Sequence, residues 1–456
     1  MKLLIVGNGG REHALLWRLR RDAPGADFFF TAGNAGMEEL AEPLALKPTD
    51  APGLLSLARA RGVDLTVVGP EGPLAAGIAD AFAEAGLAVF GPRRAAAEIE
   101  SSKAFAKAFM ARHGIPTAPY RVFTDAEAAD AWLRAGEGPI VVKASGLLGG
   151  KGALVCETRA EARAVARAML REGAYGEAGR EVVIEERLEG RELSVIALTD
   201  GTDVRILLPA RDHKRALDGD AGPNTGGMGA IAPVPDVGAD LLEEVRETVL
   251  EPAVRGLAAE GRTFRGALYA GLMLTPEGPS VVEFNARFGD PEAEAILPLL
   301  EGSLLDLLRA CADPPARDVR LAEGDLTWAA GAACCVVAAS AGYPGPYEVG
   351  RPIDLGQEAS PRGSEQAADV TGARVPTGAV VFHAGTARED GRLVTAGGRV
   401  LAVTGVGADA GSARATAYDR LRRISFPGMH YRTDIGLSGS PASSTTAPAG
   451  PARARV

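Results

Sequence analysis

The sequence predicts an α/β protein that begins with a doubly wound parallel sheet, and two observations carry that expectation. In the first hundred residues, short apolar runs (Leu3 to Val6, Phe28 to Phe30, Leu65 to Val68, Leu87 to Phe90) alternate with helical patterns (Glu12 to Arg21, Gly53 to Arg61, Leu74 to Ala85). That is the rhythm of parallel strands joined by crossover helices. Glycine-rich loops follow three successive strands, starting at Gly7, Gly33 and Gly69, on the carboxyl edge where such sheets bind ligands.

The first of these loops, Gly7-Asn8-Gly9-Gly10-Arg11-Glu12-His13, matches a dinucleotide fingerprint only in part. Glu12 replaces the third glycine, and no acidic residue ends the second strand to receive a ribose hydroxyl. What remains is a glycine-rich turn at a helix N-terminus, a general place for a phosphate. Composition narrows the partners. With 49 basic and 59 acidic residues the formal charge is −10, which argues against nucleic acid or an anionic membrane and requires any phosphate site to be a local basic pocket. Four cysteines (Cys156, Cys311, Cys334, Cys335) are too few and too irregular for a disulfide framework or a zinc site, and the last two lie in an apolar run that reads as a buried strand. A strand from Lys2, with no run of membrane-spanning length anywhere, leads us to expect no signal peptide and a cytoplasmic location.

Ser101-Ser102-Lys103 reads as a helix N-cap leading into the amphipathic stretch Ala104 to Arg112, after which a smaller α/β unit begins. In that unit the apolar run Ile140 to Val142 ends in Lys143 and leads to Ser145-Gly146-Leu147-Leu148-Gly149-Gly150-Lys151-Gly152. The Walker pattern fails at Gly152, where a hydroxyl would be needed for Mg²⁺. The glycines and the two lysines still suit a hinged lid over phosphates, with Lys143 and Lys151 as point charges. Thr158 to Glu161 is a capping box that opens a helix to about Arg171. The strand Val182 to Glu185 then runs through Glu186, Arg187, Leu188 and Glu189 into a second strand, Leu193 to Leu198. Such a segment serves equally as a hinge that receives an adenine ring or as the turn of a charged hairpin.

Two later segments, Asp212 to Arg215 and Gly222 to Gly229, are too polar or too glycine-rich for core and read as loops able to cradle a small anion. Leu241, Val245 and Val249 form a core-facing helical stripe. Tyr269 to Leu274 and Ser280 to Asn285 read as a hairpin. Its second strand alternates Glu283, Asn285 and Arg287 on one face with Phe284 and Phe288 on the other. A carboxylate, an amide oxygen and a guanidinium together fit Mg²⁺ and the terminal phosphate of a nucleotide; alone, the pattern would also serve a half-buried strand.

Taken together the motifs resemble the ATP-grasp ligases, and within them the phosphoribosylamine–glycine ligase family. The resembling strings are GNGGREHAL from Gly7, VGPEGPL from Val68, SSKAFAKAFMARHGIPTA from Ser101, VVKASGLLGGKG from Val141, DHKR from Asp212 and GPNTGGMGA from Gly222. They continue with YAGLM from Tyr269, EFNARFGDPE from Glu283, FHAGT from Phe382, GGRVLAVTG from Gly397 and RTDIG from Arg432, spanning nearly the whole chain in order. The family commonly has Asp at Ser145, Ala at Gly149, Gln at Arg211 and an aromatic at Ile231, so details of lid closure and substrate fit are expected to differ. The segment Leu355 to Thr377 is longer and more polar than the family pattern.

The resemblance implies a Rossmann-like substrate domain over residues 1–101, an ATP-grasp domain over 102–327 with a small lid subdomain at about 121–191, and a carboxy-terminal α/β domain over 328–436. Residues 437–456, a Ser/Thr/Pro/Ala tail without periodicity, are expected to be disordered. The implied reaction joins glycine to 5-phosphoribosylamine with ATP, giving glycinamide ribonucleotide, ADP and phosphate through a glycyl phosphate, with Mg²⁺ or Mn²⁺. ATP would be held by Lys103, Lys143, Gly149, Gly150 and Lys151, by Glu185, Glu186 and Leu188 at the adenine, and by Glu192 at the ribose. Glu283 and Asn285 would bind the metal, while Arg287 and Lys143 would act in catalysis. Gly9, Gly10, Asp212, Lys214, Asn224, Thr225, Gly226, Gly227 and Arg287 would take phosphoribosylamine and glycine. The expected partners are these small molecules, with a transient contact to the upstream amidotransferase. A different carboxylate–amine ligase of the same fold, or a nucleotide sensor without turnover, stays open from the residues alone.

Overall fold

The computed structural model describes residues 1–356, 367–368, 374–375 and 378–437. The expected tail beyond Leu437 and most of the polar segment 355–377 lie outside the described residues. At the amino terminus five parallel strands lie in the order Glu42–Leu44, Asp27–Thr31, Lys2–Val6, Leu65–Val68, Val89–Phe90. Four of these were predicted. The fifth, Glu42–Leu44, buries only Leu44 and contains Pro43, which suits an edge strand and gives no apolar run to read. The expected helix Leu74 to Ala85 is divided at Gly77 into Glu71–Ala76 and Ile78–Glu84. An unforeseen helix, Arg94–Ser101, precedes Lys103–Arg112, so Ser102 alone is the N-cap, its hydroxyl accepting from the Phe105 N–H.

Two four-stranded antiparallel sheets follow. One orders Tyr120–Phe123, Val182–Glu186, Ile140–Ala144, Ala153–Cys156; the other orders Val204–Ile206, Arg191–Thr199, Gly266–Thr275, Gly278–Asn285. Val182–Glu186 and Arg191–Thr199 are consecutive in the chain yet belong to different sheets, which makes the acidic segment between them a hinge and rules out the hairpin. The first sheet has a core of its own, with Leu133, Ile140, Val142, Ala166 and Met169 at its centre.

A third sheet, of five antiparallel strands, is ordered Arg211–Asp212, Gly229–Ala232, Ala332–Ala339, Arg399–Gly407, Gly378–His383. This corrects the reading of the DHKR and GPNTGGMG segments as loops. Arg211–Asp212 and Gly229–Ala232 pair with each other, Arg215–Leu217 and Ala221–Asn224 form a hairpin, and His213 and Thr225 are buried. Their partner Ala332–Ala339 lies more than a hundred residues away, so nothing local announces the pairing. As expected, that strand is buried throughout; all four cysteines are buried and free. Val245 and Val249 enter the core and Leu241 packs on it, with a π-helical turn at Arg246–Leu250 between two α segments. Among the described residues no helix is long and apolar enough to cross a membrane.

Candidate active site

The hinge brings two sheets face to face, and charged side chains from both meet there. Lys103 and Lys107 are one helical turn apart and share a face. On the neighbouring strands Glu185 pairs with Val141, which puts it on the same face as Lys143. The result is a buried triad: Lys143 Nζ lies 2.5 Å from Glu185 Oε1, Lys107 Nζ pairs with Glu185 Oε2, and Lys143 also donates to the Val282 carbonyl at 2.9 Å. Burial alone would raise the Glu185 pKa, but the two ammonium groups overcome it and hold the carboxylate below its usual range. The same burial lowers Lys107 to about 8 despite Glu185. Lys103 reaches the glycine-rich segment, donating from its backbone to Ser145 O (2.9 Å) and from Nζ to Gly146 O (3.3 Å).

The structure therefore places the Glu185 side chain among lysines and leaves the hinge itself to Glu186 and Leu188. The Glu186 N–H is used by Pro119 O. Leu188 lines an open cleft of about 590 Å³ with Thr117, Pro119 and the turn Thr275 to Gly278.

On the facing sheet, Gly278–Asn285 bulges at Val282, between the pairs Leu272–Val281 and Gly271–Glu283. Glu283 and Asn285 share a face beyond the bulge. Arg287, just past the strand, donates from Nη2 to Asn285 Oδ1 (3.2 Å), pairs with Glu100 (3.1 Å) and lies 3.5 Å from Glu71. Phe284 and Phe288 do not share the opposite face as expected. Phe284 packs in the core containing Leu272, whereas Phe288 stacks on Phe90 at 5.9 Å, because the chain turns after Asn285. Lys214 Nζ ties this strand to Arg191–Thr199, two strands away in the same sheet, lying 3.2 Å from Glu192 Oε2 and 3.8 Å from Glu283 Oε1. Burial opposes ionisation of Glu283, yet Lys214, Lys143 and Lys103 hold its pKa below the usual value.

Behind Lys214 the site continues into the third sheet. Asp212 is driven well above the usual carboxyl range by burial and by Glu292, and its Oδ1 has no hydrogen-bond partner. Ser194 Oγ donates to Glu292 Oε1 at 2.9 Å and lies 2.8 Å from Tyr269 OH. The Asn224 to Gly227 segment is folded back on Lys214: Thr225 donates from N and Oγ1 to Lys214 O, and its Oγ1 accepts from the Gly227 N–H.

Gly9 and Gly10 reach the same region from the first sheet. The Gly9 N–H does not wait for a phosphate, as its partner is the buried Glu12 carboxylate at 2.7 Å, which Arg11 Nε grips at 2.6 Å. A Cβ on Gly10 would stand 2.5 Å from Glu294 Oε1, and one on Gly9 would stand 3.7 Å from Asp290 Oδ2. Sequence reasoning missed Glu12, Glu71, Glu100, Lys107, Asp290, Glu294 and Arg399. Lys107 had a signal, its spacing of four from Lys103; Glu12, Glu71, Asp290 and Arg399 stand within the strings quoted above, Glu12 and Asp290 close to Gly10 and Arg287, whereas Glu100 and Glu294 lie outside any of them.

Among the described residues no group of three or more His, Cys, Asp or Glu side chains is arranged to hold a metal. Glu283 and Asn285 supply two hard oxygen donors, which suits an ion such as Mg²⁺ that completes its octahedron with phosphate and water oxygens.

A lysine-lined hinge between two antiparallel sheets, faced by Glu283, Asn285 and Arg287, defines an ATP-grasp protein. Residues 101–293 match the family model described as the phosphoribosylglycinamide synthetase ATP-grasp (A) domain. The fold is shared with biotin carboxylase from Campylobacter jejuni, at a TM-score of 0.67 and 15% identity over 94% of this chain and 92% of that one. Residues 1–100 and 333–438 match the N and C domains of the same synthetase, and the chain belongs to the phosphoribosylglycinamide synthetase family. It is 49% identical to the phosphoribosylamine–glycine ligase of Nostoc sp. over 441 residues, covering 96% of this chain and 99% of the relative. The corresponding figure for the Pasteurella multocida ligase is 45% over 440 residues, covering 96% and 97%. The crystal structure of the Thermotoga maritima ligase superimposes with a TM-score of 0.75 at 32% identity, covering 95% of this chain and all of that one.

Proposed function

We propose that this chain ligates glycine to 5-phosphoribosylamine with conversion of ATP to ADP and phosphate, a step of purine nucleotide biosynthesis. The observation that carries the reading is the placement of Lys103, Lys143 and Arg287, three cations for phosphates, directly beside Lys214, Asp212 and the Asn224 to Gly227 segment, where an acceptor substrate fits. In the first step a glycine carboxylate oxygen attacks the γ-phosphorus and ADP leaves, giving glycyl phosphate. In the second the amine nitrogen of phosphoribosylamine attacks the glycyl carbonyl, phosphate leaves, and the nitrogen gives up a proton. Neither step needs a protein nucleophile, in keeping with thiols that burial pushes to about 11 at Cys156 and about 12 at Cys334. The chain has to position and to neutralise charge. Glu185 fixes the Lys143 ammonium, Lys103 reaches across the glycine-rich lid, and Glu100 and Glu71 orient Arg287 towards the transferring phosphate. Glu186 and Leu188 at the hinge receive adenine, and Glu192 receives the ribose. Glu283 and Asn285 would hold Mg²⁺ or Mn²⁺, which would supply further neutralisation of phosphate oxygens. Lid closure brings Gly149, Gly150 and Lys151 over the phosphates, while Gly9 and Gly10 border the acceptor pocket. The test is ADP formation by the full chain with ATP, glycine and freshly generated phosphoribosylamine, each omitted in turn. ADP that depends on both is expected; ADP that depends on another acid in place of glycine would overturn the assignment.

A further inference from the structure

The glycine-rich lid, the Asn224 to Gly227 segment and the start of the carboxy-terminal region converge on one side chain, Tyr343. Its hydroxyl accepts a hydrogen bond from the Gly226 N–H at 3.0 Å. The carbonyl of the same glycine accepts from Arg399 Nη1 at 2.6 Å, and that guanidinium nitrogen also lies 3.0 Å from Asp290 Oδ1. Both polar groups of residue 226 are thus held by side chains from outside the two ATP-binding sheets. From the other side comes the lid. Lys151 Nζ stands 5.8 Å from the centroid of the Tyr343 ring and donates to Pro344 O at 3.1 Å. One residue earlier, Gly150 has a φ of +79° and would bring a Cβ within 3.3 Å of Thr225 O, so a side chain there would strain the lid backbone and crowd the acceptor segment. The ring itself is seated over Gly398 and packs edge-on to Tyr347 at 6.3 Å.

We infer that Tyr343 is a positioning residue that couples lid closure over the nucleotide to ordering of the acceptor-substrate segment at Gly226. The inference rests on the nucleotide and acceptor sites assigned above. In the structure the ring face takes the Lys151 ammonium of the lid, and the hydroxyl of the same ring holds Gly226. Whatever fixes the ring therefore biases both. Because coupling between two sites is reciprocal, a nucleotide that closes the lid tightens the acceptor site, and the acceptor tightens the nucleotide site by the same factor.

The experiment uses the full chain with Mg²⁺, glycine and a non-hydrolysable ATP analogue, and measures the Kd of each ligand with and without the other. For the unaltered chain each ligand is expected to tighten the other. Tyr343→Phe keeps the ring for Lys151 and loses the acceptor for Gly226. It should raise the glycine KM about fivefold, the effect of one lost neutral hydrogen bond, with the Kd of the ATP analogue measured without glycine unchanged. Tyr343→Ala should reduce the mutual tightening to none, while the Kd of the ATP analogue measured alone changes much less. A Tyr343→Ala protein that keeps the full coupling overturns the inference. So does a Tyr343→Phe protein in which the Kd of the ATP analogue measured without glycine rises together with a fall in Tm, as a merely structural tyrosine would give. Failure of the unaltered chain to form ADP with glycine and phosphoribosylamine would instead overturn the function on which the inference stands.

Discussion

Glu185→Gln isolates the charge that the lysine triad depends on while preserving the shape of the side chain. Glu185 and Lys143 are about 4% exposed and their atoms lie 2.5 Å apart, with Lys107 closing on the other carboxylate oxygen. Solvent screening is therefore slight. Removing the carboxylate charge leaves two buried ammonium groups facing each other, and breaking a buried pair in this way costs about 3–5 kcal/mol. Part of that cost is escaped if Lys107 gives up its proton, which its lowered pKa of about 8 makes accessible near neutrality. Thermal unfolding should show a clear fall in Tm, and the ATP KM should rise on the order of tenfold because Lys143 loses the partner that aims it. A double-mutant cycle completes the test. Adding Lys107→Met to Glu185→Gln should recover stability relative to Glu185→Gln alone, with a coupling of about 1–3 kcal/mol. Strictly additive effects, together with an unchanged ATP KM, would refute the idea that Glu185 works by holding the two lysines.

Glu283→Gln keeps the volume but removes the anionic oxygen offered to a metal; turnover should fall about a hundredfold or more, and near-normal activity would sink the metal assignment. Gly9→Val should lower Tm and raise the KM of every substrate, since the new Cβ would stand 2.9 Å from Glu12 Oε2, which receives the Gly9 N–H, and losing that cap costs about 1 kcal/mol; a selective effect on phosphoribosylamine would contradict this. Stability should also fall in mild acid through His13 and His383, which burial holds at about 3 and about 4. Both values lie below the ordinary 6.5, so the unfolded chain takes up protons first. Stability present above pH 6.5 is then lost as the pH falls, by about 2 kcal/mol per histidine at pH 5. His13→Gln should flatten the dependence of Tm on pH between 7.5 and 5, and an unaltered slope would refute the assignment.

The parts of the fold that could be read from the sequence are those whose partners are near or whose pattern is local. The parallel strands at Leu3, Phe28 and Leu65 are apolar runs separated by whole helices, and the hairpin ending at Asn285 closes within a few residues. The third sheet is the opposite case. Ala230 pairs with Cys335 and Ala333 with Val406, and a strand as short as Arg211–Asp212 has no periodicity to detect. Polar and glycine-rich sequence there lines the proposed acceptor site and still forms short strands, Arg211–Asp212 and Ala221–Asn224 among them. The same division runs through the site: Glu283, Asn285 and Arg287 stand in one alternating string, whereas Glu100 and Glu71, which orient Arg287, come from helices of the first sheet's edge.

Glu12 shows how a departure from a motif can be read further than its failure. In place of the third glycine of a dinucleotide fingerprint stands a carboxylate, and the structure turns it back onto the helix start, where it accepts from Gly9 and meets Arg11. The helix thereby supplies its own anion, and the partial positive charge of its N-terminus is already answered. Gly7, with a φ of +126°, and Gly69 leave room for the Glu12 side chain, and a Cβ at either would collide with it. A dinucleotide pyrophosphate would have to displace a buried, salt-bridged carboxylate to reach those amides, so the glycines of this loop serve a packed acid. An anionic group of a substrate bound nearby would need the guanidinium groups of Arg11, Arg287 and Arg399, which lie among Glu12, Asp290 and Glu294. Within that cluster burial and Asp290 hold the Glu294 carboxyl well above its usual pKa, which reduces the negative charge that an added anion would meet.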